Sequence, residues 1–312
     1  MTANKGSAIL MRLGTRGSPL ALAQADETQS RVARAQGVGP EAIVIAVIRT
    51  SGDMIQDRAL SVAGGKGLFT KELDEALLRG EIDFGVHSAK DLPTQLPDGI
   101  GLAGTLPRED VRDAFISRIA ATLADLPHGA LVGTASLRRA AQVKRLRPDL
   151  KTALLRGNVG TRLKKVEDGV FDATLLALAG LNRLHLAHHA TSLLAVEQFL
   201  PACGQGAVAI TIRAGDSRMM ALLAPVLHQP TLDALLAERA FLRALDGSCR
   251  TPIAGLATVE GAMLRFRGQV LALDGVEAFE AQTSGQVSHA AKLGQAAADE
   301  ILRVMPADFL KA

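Results

Sequence analysis

The residues best placed to do chemistry lie together at 81–93, in the stretch EIDFGVHSAKDLP. A short apolar run at 82–86 breaks into His87, Ser88, Ala89, Lys90 and Asp91, closed by Leu92 and Pro93. Ligands of α/β proteins gather at the carboxyl ends of strands. A strand end that offers an imidazole, a hydroxyl, an ammonium and a carboxylate has the makings of a site. A plainer reading stands beside it: Asp91 before Leu92-Pro93 could cap a helix. Taken alone, the stretch favours the cap. Cations elsewhere in the chain, in need of a shared target, shift the balance.

Those cations recur at strand ends. A strand at 9–13 leads to a turn holding Arg16, with Ser18 as cap and Pro19 opening a helix over 20–35. An anion would bind near Arg16, at the exposed N–H groups of that helix start. The apolar run 42–48 reads as a strand buried on both faces. Gly64-Gly65-Lys66-Gly67 is a flexible stretch in which Lys66 is a candidate anion contact, although P-loop spacing is absent. Phe69, Leu73, Ala76 and Leu77 share one face of the helix expected next, which Gly80 stops.

In the second half, a strand at 131–133 leads through Thr134-Ala135-Ser136 into a helix over 137–146. Arg138 and Arg139 fall in its first turn, where the helix dipole disfavours cations. They should be held by an anion, unless they snorkel to water. A strand at 152–155 ends in Arg156-Gly157-Asn158, and the helix after it carries Arg162. A strand at 172–178 ends near Arg183. Each of these arginines alone is an ordinary loop residue; three strand ends in succession are a pattern.

Alternating strands and helices imply doubly wound, mostly parallel α/β sheets. The 312 residues suit two or three domains. Phe199-Leu200-Pro201 reads as a linker, and the strand 207–212 after Gly204-Gln205-Gly206 returns to the first domain. The expected division is 1–106 with 207–226, then 107–206, then 227–312. The last is a small α+β C-terminal domain: a helix to about 245, an antiparallel sheet with turns at Glu260-Gly261 and Asp274-Gly275, and a closing helix over 290–304. His185, His188 and His189 lack a suitably spaced acidic partner, so no metal site is expected.

Composition narrows the class. The chain is 48% hydrophobic with a mean hydropathy of +0.19, yet no run has the length of a membrane span. The N-terminal residues are too few and too polar for a secretory signal, so a cytoplasmic protein is expected. Net charge is only +3, and aromatics are 3% with no Trp or Tyr. Nucleic-acid surfaces that stack bases rely on such rings, so no nucleic-acid partner is expected. Two cysteines make no disulfide framework. Cys249 lies in a loop between Ser248 and Arg250, where a cation lowers a thiol pKa. Cys203 is also in a loop, so position does not separate the two, and either could be a small buried hydrophobe.

These stretches together resemble the porphobilinogen deaminase family. The resemblance rests on Thr15-Arg16 with Ser18-Pro19-Leu20-Ala21, Gly64 to Phe69, Val86 to Pro93, Ser136-Leu137-Arg138-Arg139, Leu155 to Arg162, Gly204-Gln205-Gly206-Ala207 and the Cys249 loop, in the family's order along nearly the whole chain. It implies two domains like those of periplasmic binding proteins and a third that carries a cofactor cysteine. It also implies one dipyrromethane per chain, joined to Cys249 by a thioether and extended by four porphobilinogens before hydrolytic release of a linear tetrapyrrole. The family further suggests a monomer whose product passes to uroporphyrinogen-III synthase.

By the same likeness Asp91 is the catalytic carboxylate. Ser88, Lys90, Asp91, Thr134, Ser136, Arg138, Arg139 and Arg156 would hold the cofactor. Arg16, Ser18, Lys66, Phe69, Arg156, Arg162, Arg183 and Gln205 would meet substrate. The chemistry suits these residue types. Each pyrrole brings an acetate and a propionate, which planar arginine forks match well. Loss of ammonia leaves a cationic electrophile that arginines oppose and one carboxylate can steady. The chain departs from the family at Val62, where a Lys is usual, at Ala135 for Ser, and at Ser248 for Gly. Two other classes compete with this one: a reversible binder of small anions, and a nucleic-acid binder with steep salt dependence.

Overall fold

Three sheets organise residues 10–51, 69–246 and 251–309, the part of the chain that the computed structural model describes. Lys66 and Cys249, and with them Val62 and Ser248, lie outside the described residues.

The first sheet is built from β1 (Met11–Arg16), β2 (Ile43–Ile48), β3 (Phe84–Ser88) and β4 (Ile100–Thr105), with α1 (Pro19–Gln36) and α2 (Lys71–Leu78) between strands. Ser18 caps α1 by accepting from the Ala21 N–H, Pro19 supplies the preset first turn, and Gly37 at φ 66° closes the other end. The second sheet takes β5 (Asp113–Ser117), β6 (Leu131–Gly133), β7 (Lys151–Ala153), β8 (Ala173–Ala177) and β9 (Ser192–Leu193), with α3 (Leu137–Leu146), α4 (Val159–Glu167) and α5 (Leu178–Arg183). The chain then crosses back. β10 (Val208–Arg213) enters the first sheet between β3 and β4, giving the order β2-β1-β3-β10-β4. The second sheet has the matching order β7-β6-β8-β5-β9.

Both sheets are mixed: four of the five strands in each point one way and one is reversed. β1 runs parallel to β2 and β3, but β10 is antiparallel to both its neighbours. β6 likewise runs parallel to β7 and β8, while β5 is antiparallel to β8 and β9. In each sheet the reversed strand directly follows a crossing from the other sheet, and so enters from the opposite end. Nor is β2 buried on both faces. It is an edge strand with Val44 and Val47 exposed by 39% and 54%. An apolar run reads the same in the centre of a sheet and at its edge.

Following α6 (Ser217–Leu223), α7 (Gln229–Ala244) packs with α8 (Ala290–Val304) on a third, antiparallel sheet of β11 (Ile253–Glu260), β12 (Met263–Leu271) and β13 (Ala278–Gln286). Both expected turns join these strands, with Gly261 and Gly275 at positive φ. Phe241 and Phe266 meet at 4.9 Å in this core, each burial contributing about 1.5–3 kcal/mol. Phe199 and Leu200 are no loose linker: both are buried, and the Leu200 carbonyl accepts from Arg138 and Gln142. Among the described residues no single helix is long and apolar enough to cross a membrane, and no cluster of His, Cys, Asp or Glu could hold a metal ion.

Candidate active site

β1 and β3 are parallel neighbours, so their carboxyl ends open on one edge of the first sheet. Arg16, Ser18, Gln24, Phe69, His87, Ser88 and Asp91 line a pocket there. Asp91 does not cap a helix. It ends a single 3-10 turn, Ala89–Asp91, and Leu92 is extended, as a residue before proline prefers. Phe69 precedes α2 rather than riding on it, and its ring lies 4.1 Å beneath the Arg16 guanidinium. That cation–π contact aims Arg16 at Asp91, with Nη1 4.0 Å from Oδ2. Gln24 holds the Ser88 hydroxyl through both ends of its amide, at 3.0 and 3.1 Å.

Electrostatics reach Asp91 from several sides. Lys90 has its pKa lowered by burial, with Asp91 and Asp113 opposing and Arg139 and Arg138 adding to the fall. Arg162 on α4 is pushed down to about 10 by burial and by the like charges of Arg139 and Arg156, with Asp91 as the opposing influence. Asp91 thus stands between cations of both five-stranded sheets. His87, buried and facing Thr211 at 3.0 Å, is held down to about 4 by burial and Arg16, so it is neutral at physiological pH.

Several expected contacts are committed inside the protein. Arg138 and Arg139 do meet an anion, but it is Asp113, at 2.8 and 2.6 Å. Neither snorkels to water, since both are buried. Burial alone would raise the Asp113 pKa; the two guanidiniums overturn that and hold it at about 2. Gln205 is buried, donating to Val111 and to Asp113 at 2.7 and 3.1 Å, and so presents no surface to a substrate. Arg183 bridges to Glu27 on α1 at 3.0 Å and to the Gly206 carbonyl, which spends its fork on the fold. Ser136 caps α3 by accepting from the Arg139 N–H, and Thr134 accepts from the Ser136 N–H. Asn158 caps α4, directly after Arg156 and Gly157.

The site also uses residues that sequence reasoning did not single out. Glu238 on α7 is fully buried and accepts both arms of Arg108, the Gly204 N–H and the Ala257 N–H. It thereby ties both crossings between the sheets to the third sheet. No local signal pairs positions 108 and 238. Asp113 and Gln24 were missed for the same reason: their partners are distant in sequence. Cys203 is buried, and burial followed by the charge of Glu238 pushes its thiol pKa well up, so it is a core residue without nucleophilic character.

The donor set suits a polyanion bearing several carboxylates. Arg139 and Arg156 add to the burial that lowers Arg162, and the helices capped by Ser136 and Asn158 follow the parallel strands β6 and β7.

Comparison with known proteins agrees. Residues 11–221 match the family model described as "Porphobilinogen deaminase, dipyromethane cofactor binding domain", and residues 232–303 match "Porphobilinogen deaminase, C-terminal domain". Porphobilinogen deaminases of Nitrobacter hamburgensis and Nitrobacter winogradskyi are each 59% identical over 293 residues, covering 94% of this chain and 93% of theirs. Among solved structures, a nutrient binding protein from Burkholderia cenocepacia bound to methionine and a periplasmic substrate-binding protein of an ABC transporter from Coxiella burnetii align with TM-scores of 0.43 and 0.45. Each is 16% identical and covers 72% of this chain and 94% of its own. With a shared sequence this long and a cleft of this chemistry, the chain belongs to the porphobilinogen deaminase family, the hydroxymethylbilane synthases of tetrapyrrole biosynthesis that work on a dipyrromethane cofactor.

Proposed function

We propose that Asp91 is the group at which each porphobilinogen condenses, and that the cleft between the first and second sheets holds the growing chain by its carboxylates. The observation that carries this reading is the convergence on Asp91: Arg16 from β1 at 4.0 Å, Lys90 beside it, and Arg162 from α4 across the cleft. Bound dipyrromethane supplies a nucleophilic pyrrole carbon at which elongation begins. The protein supplies the rest. Asp91 accepts the pyrrole N–H groups, steadies positive charge as ammonia leaves, gives a proton to the departing amine and takes one from the carbon where the new bond forms. Arg16 and Ser18 orient the incoming carboxylates. Arg156, Arg162, Ser88, Lys90, Thr134 and Ser136 cradle those already attached, with Arg138 and Arg139 adding charge from behind Asp113.

Cys249 is the proposed thioether anchor, just beyond the end of α7; the inertness of Cys203 supports that choice. The division into 1–106 with 207–226, 107–206 and 227–312 is supported by the three sheets. A cytoplasmic monomer handing its product to uroporphyrinogen-III synthase completes the reading. Asp91→Asn should keep the cofactor mass on the Cys249 peptide and lose about 10³-fold or more in turnover. Near-normal turnover would sink the role of Asp91, and an unmodified Cys249 in active enzyme would sink the anchor.

A further inference from the structure

Three residues on one face of α7, spaced i, i+3 and i+4, bear on the turn that carries Asp91. Leu235 packs in one apolar cluster with Ala89 and Leu92, on either side of Lys90-Asp91. Glu238 accepts from the Gly204 N–H, and Gly204, at φ +75°, lies so close beneath Lys90 that a Cβ would meet the Lys90 nitrogen at 2.9 Å. Arg239 Nη2 donates to the Pro93 carbonyl at 2.8 Å and to the Thr94 carbonyl at 3.0 Å. Those two carbonyls belong to the irregular stretch between the 3-10 turn and β4, where no strand or helix would satisfy them.

The choice of arginine at 239 is costly. Burial, and then Arg243, lower its pKa, and among the described residues no carboxylate pairs with it. A methionine of similar length would fill the same space without a desolvation penalty. What the guanidinium adds is a fixed two-point grip on the backbone immediately after Asp91. Placement of a reacting group to within an ångström is worth about 10- to 100-fold in rate. We infer that Arg239 is a positioning residue for Asp91, acting through the Pro93 and Thr94 carbonyls. The inference rests on the reading of Asp91 as the catalytic carboxylate. It makes α7 the element that sets the Asp91 turn.

The test uses the full-length, cofactor-loaded protein with Arg239→Met, Arg239→Lys and Asp91→Asn. Arg239→Met should lower kcat by about 10- to 100-fold while KM for porphobilinogen moves by less than about threefold. Intact mass should still show the loaded cofactor. Amide hydrogen exchange should speed up in the peptide covering residues 89–96 and stay unchanged elsewhere. Arg239→Lys, which keeps the charge and enough protons for both carbonyls, should recover most of kcat and the protection. Wild-type kcat in Arg239→Met, or exchange that rises evenly through the chain, would overturn the assignment. If Arg239→Met does not fold, Arg239→Lys decides: slow exchange at 89–96 together with near-normal kcat supports the grip, and fast exchange there with full activity refutes it. An active Asp91→Asn removes the reading of Asp91 itself, whereas an inactive Asp91→Asn beside a fully active Arg239→Met removes only the role of Arg239.

Discussion

The two five-stranded sheets share a strand order and differ in what they do with a carboxylate. Each sets an aspartate beside arginines where it meets the other half. In the first, Asp91 stands at the edge of the cleft, its side chain 31% exposed and 4.0 Å from Arg16. In the second, Asp113 is sealed from solvent and grips two guanidiniums at 2.8 and 2.6 Å. On the proposed reading, the same residue types make a reaction centre in one half and a structural lock in the other. The difference is access. A carboxylate fully consumed by buried donors is unable to answer charge that develops on a substrate; one loosely held by a stacked arginine can.

The comparison breaks most sharply under matched substitutions. Asp91→Asn should cost turnover with little change in unfolding free energy. Asp113→Asn should do the reverse at first order, losing about 3–5 kcal/mol in urea unfolding, because two buried guanidiniums lose their counter-charge. If both substitutions cost only stability, the contrast between the halves is wrong. Arg162→Met comes next in size. If Arg162 grips substrate carboxylates as proposed, the change should weaken the apparent affinity for porphobilinogen by about 10- to 100-fold, read from KM and from its salt dependence. Relief of crowding with Arg139 and Arg156 should leave its stability at least equal to that of the parent.

The smallest effect sharpens the picture of the first sheet. Asp74 on α2 is buried, and burial raises its pKa from 3.8 to about 6, with the nearby Thr70 opposing. Between those values the folded state holds more protons than the unfolded one. Stability therefore falls as pH rises through that window, and the penalty is complete above it. Asp74→Asn should stabilise the protein by about 1–3 kcal/mol at pH 8, with the gain gone by about pH 4, as thermal melts across pH would show.

Local features were legible where local physics decides. Ser18-Pro19 placed the start of α1, cap and periodicity placed α3 at 137–146, and the closing helix falls at 290–304. Asp91 could be found because its strand, turn and neighbours are contiguous. What the chain order hides is pairing at a distance. Nothing near Arg108 points to Glu238, and nothing near Arg138 points to Asp113. The direction of β10 depends on where the chain returns from, not on its own residues. Phe69 has helical spacing to Leu73, yet it sits just before the Thr70 cap of α2, with its ring against the Arg16 guanidinium. Gln205 and Arg183 carry the family's residue types, but the Gln205 amide nitrogen donates to Val111 and Asp113, and Arg183 donates to Glu27 and Gly206.

The most direct measurement is an intact-mass time course of cofactor-loaded Asp91→Asn mixed with porphobilinogen. The expected spectrum stays at the mass of the loaded protein, with no added pyrrole units over the time in which the parent completes its cycle. A ladder of successive pyrrole additions at the parent's rate would contradict the central claim that this one exposed carboxylate carries the condensation.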